Sequence, residues 1–373
     1  MRICHLADSH LGAGENHPRR GESGLTLRQE DIVRAFVEAI DRIIDIKPDL
    51  CLHAGDLFHN VRPSNRVMAI AGEQLHRLAA ENGIPTVIIA GNHDMPKVAH
   101  VGAPLEVFNC IDNLYIAAAG RAETFRIGDV AVHALPHCPS AEAARQQLDK
   151  LKPAPEARYS ILLAHGVAAG MPEFSMADLA EQELPAKLLN RFDYAALGHY
   201  HNHTRVADRA WYSGSTERLS QAERETNKGF VLLDMDPLQI SFQEVSCRPM
   251  VDLSEVDATG KRGDELVRIL TDRVRALDGS DKIVRVTVKG VSEEALKTIP
   301  SDQISRLKQE SYALDVRFEK EESGGESLPV GRGALGRIDA AFMEFLNTVD
   351  LQGFDRERLK AEARRYLSSP EEE

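Results

Sequence analysis

The sequence predicts an α/β fold in which two mixed β-sheets pack face to face, with helices on their outer faces. Apolar, β-branched strands alternate with amphipathic helices over the first hundred residues, which is the pattern of a parallel sheet. Shorter strand candidates separated by turns follow as far as residue 245 and indicate mixed sheets. The chain has 373 residues, more than the ~250–300 over which a single core usually grows, so a further domain is expected.

The first hundred residues are predicted to contain three strands and two helices. The first strand covers residues 2–7. The helix at 27–46 places Ile32, Phe36 and Ile40 on one face before Pro48 ends it. The other elements of this part are a strand at 49–53, a helix from about 63 to 80 and a strand at 84–89. Helices between consecutive strands allow those strands to pair in parallel.

Eight further strand candidates and one helix follow before residue 246. The strands are predicted at 114–117, 124–127, 130–135, 159–164, 194–197, 211–213, 229–235 and 240–245, and the helix at 140–151. We therefore assign residues 1–246 to one α/β domain.

The character of the sequence changes near Cys247. Residues 247–322 predict a small α+β domain, with helices at 264–277, 293–298 and 303–310 and strands at 282–288 and 314–318. Residues 323–335 begin with a Gly- and Ser-rich stretch that is typical of a linker.

The C-terminal segment, residues 336–373, predicts a helix pair at 336–349 and 355–367 followed by an acidic tail. One face of the first helix carries an apolar stripe made of Ile338, Phe342, Phe345 and Leu346. Two short helices bury too little surface to be stable alone, so we expect the pair to dock on something else.

Composition limits the possible classes of protein. No apolar run approaches the ~18 residues of a membrane span, and the N-terminus lacks the apolar region of a signal peptide. The five Cys are widely separated, which favours reduced thiols and a cytoplasmic location. The net charge of −13 argues against a generic nucleic-acid binder, whose affinity depends on a basic surface. It does not exclude a nuclease, because bound divalent cations or local Arg clusters can supply positive charge.

Polar residues that could bind a metal follow five of the predicted strands. They are Asp8 and His10; Asp56; Asn92, His93 and Asp94; His165; and His199 and His201. Taken singly, each His would be more typical of a core or surface position. Taken together, they match the inventory of a binuclear site, in which a carboxylate bridges two cations roughly 3.5–4 Å apart. His5 and His53 lie within strands and are expected in the core or behind the ligands.

These motifs resemble the signature of the calcineurin-like metallophosphoesterases. The resemblance rests on Asp8-x-His10, Gly55-Asp56, Gly91-Asn92-His93-Asp94, His165 and Gly198-His199-x-His201. Residues 55–64, with the stretches 214–218 and 227–230, more narrowly resemble the SbcD-type subunit of the double-strand-break repair nuclease. The likeness is specific over residues 1–245 and only architectural over 250–373.

The resemblance implies an αββα sandwich and a ligand set for two ions, most often Mn²⁺. It implies that Asp8, His10, Asp56 and His201 hold one ion, and that Asp56, Asn92, His165 and His199 hold the other. It also implies that His93, oriented by Asp94, acts on the leaving group, with His59 near the phosphate. Candidate phosphate contacts to DNA, by residue type alone, are Arg19, Arg20, Arg62 and Arg66, and plain solubility is the alternative role for each.

The resemblance also implies partners: DNA facing the small domain, an SMC-like (SbcC-type) ATPase on the C-terminal helices, and a second copy of the chain. The helix at 66–78 is broadly apolar, which fits either a dimer contact or a fully buried helix.

Three functions remain open at this point. The first is a metal-dependent DNA exonuclease or endonuclease of double-strand-break repair and recombination. The second is a hydrolase of a small phosphodiester or phosphomonoester, because one metal core can serve many substrates. The third is a tether that binds the ATPase and DNA ends without catalysis.

Overall fold

The computed structural model describes residues 1–96, 101–169, 182–277 and 281–321, together with Arg356 and residues 358–360. The predicted linker and almost all of the predicted C-terminal helix pair therefore lie outside the described residues. None of the helices in the described ranges has the length and apolar character needed to cross a membrane.

Seventeen strands occur in the described residues. In chain order they are β1 (Arg2–Leu6), β2 (Leu50–His53), β3 (Thr86–Ile89), β4 (Leu114–Ala117), β5 (Glu123–Ile127), β6 (Val130–Leu135), β7 (Tyr159–His165), β8 (Val167–Ala168), β9 (Glu183–Leu184), β10 (Tyr194–Gly198), β11 (Thr204–Ala207), β12 (Ala210–Tyr212), β13 (Gly229–Met235), β14 (Leu238–Glu244), β15 (Met250–Asp257), β16 (Ile283–Val291) and β17 (Ala313–Lys320).

The α-helices in the same ranges are α1 (Leu27–Ile46), α2 (Asn65–His76), α3 (Ala141–Leu148), α4 (Ala186–Leu189), α5 (Gly263–Ala276), α6 (Glu293–Thr298) and α7 (Ser301–Glu310). The long helix α1 begins with a capping box between Thr26 and Gln29, and it ends at Lys47, whose left-handed backbone precedes Pro48. A π-helical turn, Arg77–Glu81, extends α2.

The prediction of two mixed sheets is confirmed. The first sheet has the order β14-β13-β1-β2-β3-β4, with parallel pairing from β1 to β4 and antiparallel pairing at β13 and β14. The second has the order β11-β12-β10-β7-β6-β5, with parallel pairing in its centre and an antiparallel strand at each edge.

The two sheets pack against each other and are covered by helices on their outer faces. Ile3, Leu52 and Val87 of the first sheet meet Val132, Ile161 and Tyr194 of the second in one buried cluster. Helices α1 and α2 cover the other face of the first sheet, and α3 and α4 cover that of the second. Central strands are apolar on both faces because both faces are buried.

A third unit of strands and helices follows residue 249. Its strands β15, β16 and β17 are all parallel, and helices connect them, so it is an α/β unit rather than the α+β unit we expected. The prediction missed β15 because Asp252, Ser254 and Glu255 interrupt its apolar residues and much of this edge strand is exposed. The unit has its own buried core, formed by residues such as Leu266, Leu270, Val284 and Val286.

Asp31 of α1 joins the third unit to the sandwich. The Arg248 guanidinium donates to both Asp31 oxygens at 2.6 and 2.7 Å, and the Tyr312 hydroxyl donates to Oδ2 at 2.6 Å. Arg248 also lies over the Tyr312 ring, 3.6 Å from its centre. Arg19 donates to the carbonyls of Ser311 and Tyr312 at 2.7 and 2.9 Å. We refer to these five residues as the junction.

Candidate metal centre

The carboxyl ends of five strands converge on one cleft. Asp8, Asp56 and Asn92 follow β1, β2 and β3, which are parallel neighbours in the first sheet. His165 ends β7 and His199 follows β10, and these strands are parallel neighbours in the second sheet. Parallel strands end at the same edge of a sheet, so the face-to-face packing brings both sets of side chains together.

The backbone is strained where the candidate ligands lie. Asp8, His10, Asp56 and His199 adopt positive φ values of 52°, 43°, 53° and 106°. Such conformations persist when the surrounding structure fixes them, and here the amides of Asp8 and His10 donate to the carbonyls of Gly55 and Asp56. A side chain at Gly91 would clash with the Asp56 carboxylate, so this close approach of two loops requires glycine.

One group of potential ligands consists of Asp8, His10 and His201, whose ligand atoms lie within 4.8 Å of one another. The Nε2 atoms of His10 and His201 are 3.2 Å apart, and His10 Nε2 is 3.5 Å from Asp56 Oδ2. Asp8, His10 and Asp56 are buried.

A second group consists of Asp8, Asp56 and His165. His165 Nε2 is 2.9 Å from Asn92 Oδ1 and 3.6 Å from Asp56 Oδ2, and His199 Nδ1 is 3.3 Å from the same Asn92 oxygen. Asp56 Oδ2 therefore faces both His10 and His165. That is the position that a bridging carboxylate would need, although the assignment of each residue to an ion stays a prediction.

Burial makes negative charge in this cluster costly unless cations neutralise it. Burial raises the pKa of Asp8 and of Asp56, because carboxylates are costly to charge away from water. Burial lowers the pKa of His10 and of His165, so both imidazoles are neutral at pH 7 and have a nitrogen lone pair to donate. Carboxylate, imidazole and amide-oxygen donors together fit Mn²⁺ and similar ions.

Each of three His rings has a partner at its Nδ1 atom. His165 Nδ1 donates to the carbonyl of Ala54 at 2.8 Å, which leaves Nε2 unprotonated toward Asp56 and Asn92. His201 Nδ1 is 3.3 Å from Glu223 Oε1, and His10 Nδ1 is 3.4 Å from His59 Nδ1. Bonds of this kind orient metal-binding His residues and fix which nitrogen carries the proton.

His93 lies at the rim of this cluster. Its Nδ1 donates to the carbonyl of His59 at 2.7 Å, and its backbone amide donates to Asp56 Oδ1 at 2.9 Å. The rings of His59 and His93 stack with 5.2 Å between centres, and the ring of His10 lies 4.8 Å from that of His93. With Nδ1 bonded to the His59 carbonyl, Nε2 is the ring nitrogen through which His93 could act on a substrate.

The prediction that Asp94 orients His93 is wrong. The Asp94 carboxylate accepts from the backbone amides of Leu57, Phe58 and Gly91 at 3.1, 2.9 and 3.1 Å, and it is fully buried. Adjacent side chains of the loop point in different directions, so Asp94 ties the loop after β2 to the loop after β3. The carbonyl of His59 orients His93 instead.

The four candidate DNA-binding arginines have different surroundings. Arg19 is bound to carbonyls at the junction, and Arg20 donates to the carbonyl of Gly24 at 2.9 Å. Arg62 lies in the loop before α2, and Arg66 lies in its first turn. Their contacts to DNA stay predictions, and the junction bonds give Arg19 a structural role as the alternative.

Sequence reasoning missed two buried charged residues beside His201. Lys228 Nζ donates to Glu223 Oε2 at 2.6 Å and to the carbonyl of His201 at 2.8 Å. Burial alone would raise the pKa of Glu223, but its bonds with His201 and Lys228 lower the pKa to about 2. Lys228 stands in the stretch 227–230 that the family resemblance had already marked, and this was the only sequence signal for the pair.

The protein-family model described as "Calcineurin-like phosphoesterase" matches residues 1–203, which include every candidate metal ligand from Asp8 to His201. The chain is 32% identical over 297 residues to the DNA double-strand break repair protein Mre11 of Haloferax volcanii, covering 78% of this chain and 62% of that protein. The protein of the same name from Methanocaldococcus jannaschii is 31% identical over 280 residues, covering 69% and 70%. That from Methanosarcina acetivorans is 25% identical over 367 residues, covering 94% and 55%. The chain thus spans less than two thirds of the length of the first and third of these relatives.

Proposed function

The chain belongs to the calcineurin-like phosphoesterase family, and on that premise we propose that it is a metal-dependent DNA nuclease of double-strand-break repair. The observation that supports the reaction type is the position of Asp56 between His10 and His165 in a buried cluster of ligand atoms. The DNA substrate is supported by the names of the relatives and by the likeness of residues 55–64 to the SbcD-type nuclease.

The proposed ligands divide into two sets that share Asp56. Asp8, His10, Asp56 and His201 would hold one ion, and Asp56, Asn92, His165 and His199 would hold the other. We propose Mn²⁺ for both, because the donors are mixed nitrogen and oxygen. When bound, two such ions lower the pKa of a water molecule toward ~7 and neutralise the charge of the phosphodiester.

The remaining residues handle the proton and the loops around the cleft. The Nδ1–H bond of His93 to the His59 carbonyl fixes the orientation of the ring, so a proton on Nε2 can pass to the leaving oxygen. Asp94 keeps the loops that carry Asp56 and His93 in register through its three backbone bonds.

One assay separates the three candidate functions. The protein is incubated with Mn²⁺ and either linear duplex DNA or bis-p-nitrophenyl phosphate, with a chelator as the control. A nuclease degrades both substrates only with metal. A small-molecule phosphoesterase hydrolyses the nitrophenyl ester and leaves DNA intact, and a pure tether does neither.

We also propose that the C-terminal segment, residues 336–373, binds an SMC-like ATPase through the stripe of Ile338, Phe342, Phe345 and Leu346. Deletion of residues 328–373 should leave a folded protein that hydrolyses bis-p-nitrophenyl phosphate but no longer co-purifies with the ATPase. Unfolding of the truncated protein would instead mean that the stripe packs on its own chain, and unchanged ATPase binding would contradict the assignment.

A homodimer through α2 is the other proposed association. Val67, Ala71 and Leu75 on one face of α2 are buried in the chain's own core, while Met68 and Ile70 are only partly buried. The helix is thus not fully covered by its own chain. Light scattering at tens of micromolar protein tests this proposal, and a monomer at that concentration would contradict it.

A further inference from the structure

The two sets of proposed ligands differ in the group that holds one of their His rings at Nδ1. His165 is held by the backbone carbonyl of Ala54, which is a neutral acceptor. His201 is held by the carboxylate of Glu223. Each ring turns Nε2 into the cleft: that of His165 lies 3.6 Å from Asp56 Oδ2, and that of His201 lies 3.2 Å from His10 Nε2.

Glu223 is itself fixed by several donors. Its Oε1 accepts from the Ser220 hydroxyl at 3.0 Å, and its Oε2 accepts from the backbone amide of Leu219 at 3.2 Å and from Lys228 Nζ at 2.6 Å. Glu223 is 7% exposed and Lys228 is 1% exposed, so this ion pair lies almost entirely away from water.

Lys228 contacts both the carboxylate and the ligand that the carboxylate holds. Its Nζ lies 2.6 Å from Glu223 Oε2 and 2.8 Å from the carbonyl of His201. The same His201 carbonyl also accepts from the backbone amide of Ser215 at 3.0 Å. Backbone and ring of His201 are therefore held at once, which leaves the residue little freedom of orientation.

A buried ion pair is only weak evidence of a stabilising role, because desolvation of the two charges offsets much of their attraction. A carboxylate behind a metal-binding imidazole has another effect, since it orients the ring and makes the ligand nitrogen more basic. On the premise of the proposed function, we infer that Glu223 and Lys228 are positioning residues that make the ion held by His201 the more tightly bound of the two.

The test is a calorimetric titration of the metal-free, full-length protein with Mn²⁺, compared with E223Q, the double variant E223Q/K228M and the control E225Q. The E223Q change keeps the size of the side chain and an oxygen for His201 but removes the charge. The double variant also removes the lysine that E223Q would leave unpaired. Glu225 lies in the same loop, and its side chain is 82% exposed.

The wild type should bind two ions with unequal affinity. E223Q and the double variant should both weaken the tighter phase by about 10- to 100-fold while the weaker phase is unchanged, and E225Q should match the wild type. If the folded E223Q/K228M protein bound Mn²⁺ as tightly as the wild type does, the inference would be overturned. Equal weakening of both phases would also overturn it. If the inference fails in one of these ways while the wild type still binds Mn²⁺ and cuts DNA, the proposed function stands. If the wild type binds no Mn²⁺, the inference and the proposed function are both overturned.

A second readout separates positioning from folding. Thermal unfolding of the metal-free proteins reports stability without the cleft's ions. If the pair served stability alone, E223Q/K228M would recover both the melting temperature and the Mn²⁺ affinity. The inference requires that the melting temperature recovers while the affinity stays low.

Discussion

The cleft and the junction both bury carboxylates, but they neutralise them in opposite ways. At the junction, the Asp31 carboxylate is bonded to Arg248 and Tyr312 and paired with Arg28 and Arg34. In the cleft, the ion pairs of Asp8 and Asp56 within the described residues involve only His side chains, and no Arg or Lys pairs with either. The chain itself neutralises Asp31, so that contact holds two units together, whereas Asp8 and Asp56 are left with neutral imidazoles and are suited to an external cation.

The largest expected effect comes from Asp56→Asn. If Asp56 bridges two ions, the variant should lose both together, and turnover of bis-p-nitrophenyl phosphate should fall by about a thousandfold or more, because metal catalysis contributes several kcal/mol. Metal content after gel filtration measures the loss. A variant that retains one tightly bound ion would show that Asp56 belongs to a single site.

His93→Asn should separate proton transfer from metal binding. His93 lies outside both proposed ligand sets, so calorimetry should still find two ions. Turnover should fall by about 10²- to 10⁴-fold, the usual contribution of a general acid. Loss of metal in this variant would contradict the assignment of His93 as the acid.

Asp31→Asn should act on stability and leave the metals in place. The change leaves the largely buried Arg248 without its anion, and breaking such a pair destabilises a protein by about 3 kcal/mol or somewhat more. Chemical denaturation measures the change in the free energy of unfolding. The control is Arg34→Gln, where an exposed partner of the same carboxylate is removed and a change below about 1 kcal/mol is expected.

The same comparison explains which parts of the molecule the sequence could predict. Asp8, Asp56 and Asn92 each follow a recognisable strand, and parallel strands end together, so local patterns were enough to bring the candidate ligands to one edge. Asp31, Arg248 and Tyr312 are separated by up to 281 residues along the chain, and no local pattern relates them. Their contact depends on how the third unit packs on α1.

The direction in which a side chain points was harder to predict than the place of its residue in the fold. Asp94 stands beside His93 in the sequence, yet its carboxylate turns to three backbone amides and not to the His93 ring. Glu223 and Lys228 were missed because a charged residue is normally exposed, and only the packed structure shows that these two are buried against His201.

The two regions should respond to pH with opposite signs in the metal-free protein. Burial alone would raise the pKa of Asp31, but the bonds from Arg248 and Tyr312 lower it, so its stabilisation is present above the unfolded pKa of ~3.9 and is lost as the pH falls further. Burial raises the pKa of Asp56, so the free-energy cost of its buried charge grows as the pH rises above the unfolded pKa of ~3.9.

Denaturation of metal-free variants between pH 3 and pH 7 measures both effects, on the scale of ~1.4 kcal/mol for each unit of pKa shift. The stability gap between wild type and Asp31→Asn should shrink as the pH falls below about 4. Asp56→Asn should become more stable relative to wild type as the pH rises. The distinction between the two carboxylates would be contradicted if the stability of both variants relative to wild type changed in the same direction with pH.

The smallest effect is expected for Arg19→Ala, and it decides between two roles for this residue. The loop after His10 carries Arg19 to the junction, where the guanidinium donates to the carbonyls of Ser311 and Tyr312. Loss of these partly buried bonds should lower the free energy of unfolding by about 1 kcal/mol.

A purely structural role leaves affinity for linear duplex DNA unchanged at every salt concentration. A phosphate contact instead weakens binding of all sequences and reduces the slope of log K against log[salt] by about one. Arg62→Ala, in a residue outside the junction, is the matched comparison, because only its predicted phosphate contact is at stake. We expect Arg19→Ala to affect stability alone, and a reduced salt slope in that variant would place Arg19 in the DNA-binding surface after all.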